Sequence, residues 1–468
     1  MWPPGQRHRI GLTHGYRLFE PHRGLNPLCR VVSSRVGCRV WATGTQRAPI
    51  TTVRLPPFRY NALVPDPRRW WMLGLLLAIT VINFIDRQSL SIVAPILRES
   101  LHLSNADYGI IVGAFQMGMM LGEFPMGWLM DRRGVRFGLS FAVLWWSLAN
   151  TIHAFGRSML QFALLRFWLG TGECGNYSGG LKVVSHWFPT KERTLAVGIF
   201  NSGSMIGSIL APPLLVWFTL AYGWRSAFVI PSILGFVWVA AWLYFYRTPA
   251  SATREEGLAA PSNCELLGVR QTWALMLCRF LVGPVVQFYV YWLPEYLYRE
   301  RGLTLKSIGA FAWVPFLFGD IGSIAGGLAA SLLLRRGFGL RLTRQITMGL
   351  GSFGCLFSIA VAQSSTAKGA LSWICLVLLG HTFLSANMFA TISDLFPSNA
   401  VGRVTALTGI AGGLSGMLFP YLTGILVDRF SYTPVFFLAS AMPLMGSAAL
   451  FLLTSRATPG EPAESYSN

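Results

Sequence analysis

Charge is what this sequence has least of. Of 468 residues only 12% are Asp, Glu, Lys or Arg, against roughly a quarter in soluble domains. That shortage excludes an ordinary water-soluble globular chain. Residues 197–224 and 371–393 carry no charged residue at all, and each run can cross a hydrocarbon core of ~30 Å. Cysteine is also sparse: the seven, at positions 29, 38, 174, 264, 278, 355 and 375, show no paired spacing, so neither a disulfide framework nor a metal site is implied. The sequence has no nucleophile elbow and no glycine loop built to cradle phosphate, which sets an enzyme aside, and no cofactor is called for. What remains, 53% hydrophobic, is the composition of a polytopic membrane protein.

The formal net charge of +19 would suggest a nucleic-acid partner in a soluble protein, but its distribution argues otherwise. Residues 1–69 hold twelve Arg against Glu20 and Asp66, a balance of +10, and are rich in Pro and Gly. They read as a disordered basic extension. Their acid-poor composition fits an organelle transit peptide or upstream sequence translated from a mis-set start, and not a cleavable signal peptide.

Turn signals and charge clusters divide the remainder into apolar helices near 70–96, 107–130, 136–156, 159–182, 193–220 and 224–246. A polar linker, 247–270, follows. The second set lies near 271–298, 307–334, 345–363, 369–394, 400–427 and 432–454, leaving 455–468 as a tail. This is an all-α integral membrane protein of twelve transmembrane helices in two six-helix bundles. Arg68, Arg69, Arg132, Arg133, Arg136, Lys191, Arg193, Arg335, Arg336, Arg341 and Arg344 all fall on one side in this count, so both termini are expected in the cytoplasm.

The two halves echo each other. Ser185-His-Trp-Phe-Pro189 precedes Pro212 by 23 residues, and Ser393-Asp-Leu-Phe-Pro397 precedes Pro420 by the same 23. Likewise Asp131-Arg-Arg-Gly134 after the second helix is mirrored by Leu334-Arg-Arg-Gly337 after the eighth, where the Asp is missing.

The stretch Gly127-Trp-Leu-Met-Asp131-Arg132-Arg133-Gly134-Val135-Arg136 resembles the loop signature of the major facilitator superfamily, and the resemblance implies a salt-bridged cytoplasmic latch built from Gly127, Asp131, Arg132, Gly134 and Arg136. Asn83-Phe-Ile-Asp-Arg87-Gln88, Arg166 with Gly172-Glu173-Cys-Gly-Asn-Tyr177, Trp187-Phe-Pro-Thr-Lys-Glu-Arg193 and Ile199-Phe-Asn-Ser-Gly-Ser204 narrow it to the anion:cation symporter family, especially hexuronate transporters. The likeness spans residues 70–454. It departs at Tyr177-Ser178, where the family usually has Phe-Pro, and at Glu123, commonly Gln. Vesicular glutamate relatives carry an Arg in helix 7; the region around Pro284 has none, which argues against that substrate. The resemblance implies a bacterial inner-membrane carrier, monomeric, moving a small organic anion with protons.

The intramembrane charges carry the chemistry, because each costs ~2.5–3.5 kcal/mol at a helix centre unless it pairs or works. Arg166 and Glu173, seven residues apart, share a helix face with Tyr177. Arg87 and Arg166 are the candidates for gripping a carboxylate by fork geometry. Asp86, beside Arg87, and Glu173, below Arg166, are the candidates for proton coupling, which is also the role the resemblance implies for them. The alternative is a static set of Asp–Arg and Glu–Arg pairs bracing helices 1 and 4. Asp320 is a possible accessory group or an interhelical hydrogen bond. Asn201, Ser204, Gln287, Tyr291 and Asn387, polar within apolar helices, are candidates for substrate hydroxyls; His381 reads as an interhelical hydrogen bond rather than a proton relay. Glycines 118, 122, 203, 207, 412, 413 and 416 are expected where helices slide in rocking. The expected function is proton symport of a sugar acid by alternating access. The rivals are an organophosphate/phosphate exchanger of the same fold and a membrane anion receptor.

Overall fold

The computed structural model describes residues 29–34, 37–42, 67–247 and 261–454. Residues 1–64 and 65–468 form two separate units. In the first, β1 (Cys29–Ser34) pairs antiparallel with β2 (Gly37–Ala42), Val31 standing opposite Val40. This hairpin lies within the extension expected to be disordered, where Val31 and Val32 face a strand carrying Val40 and Trp41, residue types that favour a ladder. The rest of that extension, most of the linker and the tail from 455 lie outside the described residues.

The second unit is helical: α1 (Arg68–Leu101), α2 (Asn105–Arg133), α3 (Val135–His153), α4 (Met159–Glu173), α5 (Gly175–Trp187), α6 (Thr190–Tyr222), α7 (Ser226–Phe245), α8 (Asn263–Leu267), α9 (Arg270–Arg299), α10 (Leu305–Phe311), α11 (Val314–Arg335), α12 (Leu340–Cys355), α13 (Ser358–Gln363), α14 (Ala367–Leu395), α15 (Ser398–Arg429) and α16 (Thr433–Leu453). One or two residues interrupt α4–α5, α10–α11 and α12–α13, so each couple is a single crossing. Six crossings precede the linker and six follow. Ten of these segments are long and apolar enough to span a membrane. The other two are α3 and the α4–α5 couple, which carries Arg166, Glu173 and Lys182.

Local chemistry sets the boundaries. Ser104 caps α2 by accepting from the Asp107 backbone N–H, while the Asp107 carboxylate accepts from the Ser104 N–H at 3.0 Å, a reciprocal capping box. The repeated motifs have repeated geometry. Phe188 and Phe396 end α5 and α14 in extended conformation, and Pro189 and Pro397 open α6 and α15 with ψ of 151° and 155°. Gly134 and Gly337, after the second and eighth crossings, have φ of +79° and +85°, a region where a Cβ is disfavoured. The two-fold internal repeat is therefore structural.

The halves meet chiefly through α2 and α15. A Cβ on Gly109 would lie 2.4 Å from the Pro420 carbonyl oxygen, and one on Gly424 would lie 2.3 Å from that of Asn105, so these backbones touch because the side chains are missing. Of the glycines expected at sliding contacts, Gly413 faces the other half, against Met120. Gly118 and Gly122 instead admit α4, and Gly203 and Gly207 admit α1. They hold one half together.

Near the 101–105 and 299–305 loops a polar network ties the halves. Arg98 of α1 forms an ion pair with Glu295 of α9, both enclosed, and Arg299 Nε lies 2.6 Å from the same carboxylate. Arg98 also donates to Asn105 Oδ1 at 2.6 Å. Asn105 Nδ2 donates to Asp428 Oδ1 at 2.6 Å, and Asp428 accepts the α2 backbone N–H groups of Asn105 and Ala106 at 3.0 and 2.8 Å, a carboxylate seated on a helix N-terminus. The Tyr108 hydroxyl donates to the Tyr291 carbonyl at 2.7 Å. This face of the molecule is closed.

Glu295→Gln removes the counter-charge of an enclosed Arg98, and breaking one member of a buried pair costs about 3–5 kcal/mol. The closed arrangement should lose population. Spin labels on the 101–105 and 429–433 loops should then show added long distances; an unchanged distribution would refute the role of this pair.

Candidate substrate site

Between the halves lies a cavity of about 370 Å³, within the range of small-molecule sites. Arg87 and Gln88 line it from α1, Gln116 and Glu123 from α2, Tyr177 from α5 and Ser208 from α6; Arg279, Gln287 and Tyr291 line it from α9 and Gly409, Gly412 and Gly413 from α15. Its lining extends along α2, α9 and α15 to Glu123, Arg279 and Gly409, away from the closed face. Of the residues selected from sequence, Arg87, Tyr177, Gln287 and Tyr291 meet in this lining. Asp86, Arg166 and Glu173 are enclosed and grouped about Arg87.

Close backbone approach assembles that group. A Cβ on Gly170 would sit 2.3 Å from the Phe115 carbonyl oxygen and one on Gly118 would sit 2.2 Å from that of Phe167. Thus α2 and α4 pack backbone to backbone, and α4 delivers Arg166 and Glu173 to α1. The Arg87 guanidinium lies over Phe84 and Phe115 at 4.6 and 5.4 Å, and that of Arg166 over Phe115 at 5.9 Å, favourable cation–π geometry. Phe115 in turn meets the Tyr291 ring edge-on at 6.3 Å.

The pairing differs from the expectation. Asp86 does not pair with Arg87, because successive helical side chains point ~100° apart. It turns instead to α3, where Asn150 Nδ2 donates to its Oδ1 at 2.7 Å. Glu173 reaches past Arg166 to α1 and accepts from Arg87 Nε at 3.1 Å, with Arg87 Nη2 at 3.0 Å. Arg166 Nη1 donates to the Arg87 carbonyl at 3.3 Å. Among the described residues Arg166 Nε and Nη2, Asp86 Oδ2 and Glu173 Oε1 are enclosed without a hydrogen-bond partner. Arg87 thus lines the cavity with its Nε and Nη2 held by Glu173, and Nη2 also donates to Asn83 Oδ1 at 3.3 Å.

The remaining candidates sit elsewhere. Asn387 Nδ2 donates to the Gly326 and Phe383 carbonyls at 3.1 and 3.0 Å, and its Oδ1 accepts from Arg344 Nη1 at 2.8 Å, which makes it a brace of the second half. Asn201 and Ser204 lie outside the cavity lining, the Ser204 hydroxyl donating to the Asn201 carbonyl at 2.7 Å. Asp320 lies outside it on α11. His381 Nε2 lies 2.9 Å from the Val282 carbonyl, an interhelical hydrogen bond. In the loop signature Asp131 pairs with Lys182 of α5 rather than with an Arg of the loop, and Arg132 lies over Trp128 at 4.9 Å. Gly134 makes the turn, Gly127 faces open space, and Arg136 Nη2 donates to the Leu243 carbonyl at 2.6 Å. The second half answers with Arg344 Nε donating to Asp394 Oδ2 at 2.7 Å.

Sequence reasoning missed Gln88, Gln116, Ser208 and above all Arg279. Ser208 follows Ser204 by one turn, and Gln88 adjoins Arg87. Arg279, five residues before Pro284, is an intramembrane arginine that the rule applied to Arg166 selects equally. Its presence removes the argument drawn from an arginine-free helix 7.

Asn150→Ala leaves the Asp86 carboxylate enclosed without its donor, which costs about 1–3 kcal/mol. Its melting temperature in detergent should fall clearly below wild type, whereas exposed Asn201→Ala should stay within about 0.5 kcal/mol. Equal melting of the two variants would deny that the Asn150 bond supports the site.

The sequence profile of the Major Facilitator Superfamily matches residues 76–420. The chain is similar to the hexuronate transporter of Escherichia coli (strain K12), 31% identical over 420 residues, 86% of this chain and 97% of that one. It is also similar to the galacturonate transporter of Dickeya chrysanthemi, 34% identical over 330 residues, 65% of this chain and 96% of that one. Its fold is similar to an inward-facing, unoccupied bacterial homolog of the human lysosomal transporter Spinster, TM-score 0.69 at 18% identity, covering 84% of this chain and 100% of that one. A D-xylose-proton symporter structure matches with TM-score 0.68 at 15% identity, over 82% and 97%. Twelve crossings in two repeated halves, a cavity between them and a profile match over most of the sequence agree: the chain belongs to the Major Facilitator Superfamily.

Proposed function

We propose that this protein carries a six-carbon sugar acid, a hexuronate or a close relative, across the membrane together with protons, by alternating access. The observation that carries the reading is the Arg87–Glu173 pair at the cavity wall. A substrate carboxylate seeks the fork that Glu173 occupies, with the unpartnered donors of Arg166 behind it. If the anion takes Arg87, Glu173 loses its counter-charge and is left to bind a proton in a water-poor enclosure. Substrate and proton are then linked through one arginine. Asp86, enclosed next to this exchange and held by Asn150, is a second proton site. Tyr177, Gln287 and Tyr291 offer the hydroxyl contacts; Asn201, Ser204, Asn387 and Asp320 stand outside the cavity in this conformation.

The names of the similar bacterial proteins, hexuronate and galacturonate transporters, support the substrate class. Basic loops at the ends of α2 and α11, away from the Arg98–Glu295 network, support a cytoplasmic opening and cytoplasmic termini under the positive-inside rule, in a bacterial inner membrane. The conformation described is then inward-open, its outer face closed by Arg98 and Glu295. A monomer suffices, since both walls of the cavity come from one chain.

The test is uptake of radiolabelled glucuronate and galacturonate into proteoliposomes under an imposed inward proton gradient. Wild type should accumulate acid against its gradient. Glu173→Gln should abolish the accumulation, and Arg166→Ala should weaken binding by at least about tenfold, the loss of a charge-assisted contact. Uptake indifferent to the gradient would remove proton coupling, and no uptake of either acid would remove the substrate assignment.

A further inference from the structure

One cation of the cavity has no part in the cycle above. Arg279 stands on the α9 wall, opposite the half that supplies Arg87, Arg166 and Glu173. Its guanidinium lies over the Phe389 ring at 4.9 Å. Its Nε is enclosed with no hydrogen-bond partner among the described residues, and no carboxylate lies within ion-pair distance of it there. Two turns along the same helix Gln287 also faces the cavity, and its Oε1 is likewise enclosed and unpartnered. Chemistry of this kind, a fixed fork and an amide, recognises a carboxylate flanked by hydroxyls.

The neighbouring helix is shaped to admit both side chains. Gly412 and Gly416 are four residues apart and so share a face of α15. A Cβ on Gly412 would come 2.9 Å from Arg279 Nε, and one on Gly416 would come 2.3 Å from Gln287 Oε1. The two glycines therefore provide the space in which the arginine and the amide lie. Glu123 lines the cavity from α2 but forms no ion pair with Arg279 here.

Building on the sugar-acid reading, we infer that Arg279 and Gln287 form a second anion subsite, which suits the cavity to a sugar diacid with a carboxylate at each end. One carboxylate takes Arg87 of the first half and the other takes Arg279 of the second. A diacid bound in this way touches both halves at once, and the ligand itself becomes a charged link between them.

The experiment is calorimetric binding of glucuronate, a monoacid, and glucarate, the matching diacid, to the purified full-length protein in detergent, with melting temperatures recorded for every variant. Wild type should bind glucarate at least as tightly as glucuronate. Arg279→Gln should lower the ratio of diacid to monoacid affinity by about tenfold, the value of one charge-assisted contact, and Arg279→Lys should restore part of it. If Arg279→Gln melts too low to purify, the Lys variant carries the comparison through a smaller fall in the same ratio. An unchanged ratio overturns the inference, as does a parallel loss for both acids that Glu123→Gln reproduces, which would mark Arg279 and Glu123 as a closing contact. If wild type binds neither acid, the sugar-acid reading fails and takes this inference with it.

Discussion

Everything at the centre of this molecule depends on how a half-buried guanidinium at the cavity wall finds its counter-charge. Arg87 lies among apolar helices with Glu173 on its fork, Phe84 and Phe115 on its faces and its own carbonyl accepting from Arg166. In a medium of low dielectric such a charge is tolerable only while compensated. Compensation can come from the protein or from a ligand, and both cannot hold the same donors at once. That exclusivity is what a static brace lacks and a coupled carrier needs.

The supporting structure is mostly an arrangement for bringing backbones close. Hydrocarbon gives helices no hydrophobic reason to associate, so contact area and small residues decide. Gly170 and Gly118 draw α2 and α4 together and thereby place Arg166 and Glu173 beside α1. Gly109 and Gly424 do the same between the halves. Substituting the first pair would pull the charged cluster apart, while substituting the second would part the two bundles. Similar residues thus maintain the site in one place and the conformation in another.

Much of the fold was legible because its signals are local. Apolar length gives a crossing, and a Phe-Pro pair gives a helix end followed by a helix start, which is why positions 188–189 and 396–397 adopt the same geometry. The individual pairings were less legible. Periodicity tells which face of a helix a residue occupies, not which neighbour that face meets. So Asp86 and Arg87, adjacent in the chain, turned to different helices, and Glu173 passed over Arg166 to reach Arg87. Asn387 shows the same limit: a polar residue in an apolar helix must have partners, and here they are Gly326, Phe383 and Arg344. The Arg98–Glu295 pair joins residues 197 positions apart, beyond any reading of spacing.

Helix α9 carries Glu295 near one end and Arg279 toward the other, sixteen residues or ~24 Å apart along its axis, with Gln287 midway. A rigid rod pivoting near its middle moves its ends in opposite directions and its centre hardly at all. If the second half tilts against the first about that level, the same rotation that draws Glu295 away from Arg98 swings Arg279 inward, whereas Gln287 stays near the fulcrum. The helix would then act as a lever whose opposite arms read the two sides of the membrane, and a ligand gripped near the pivot would change the side it faces without being carried far.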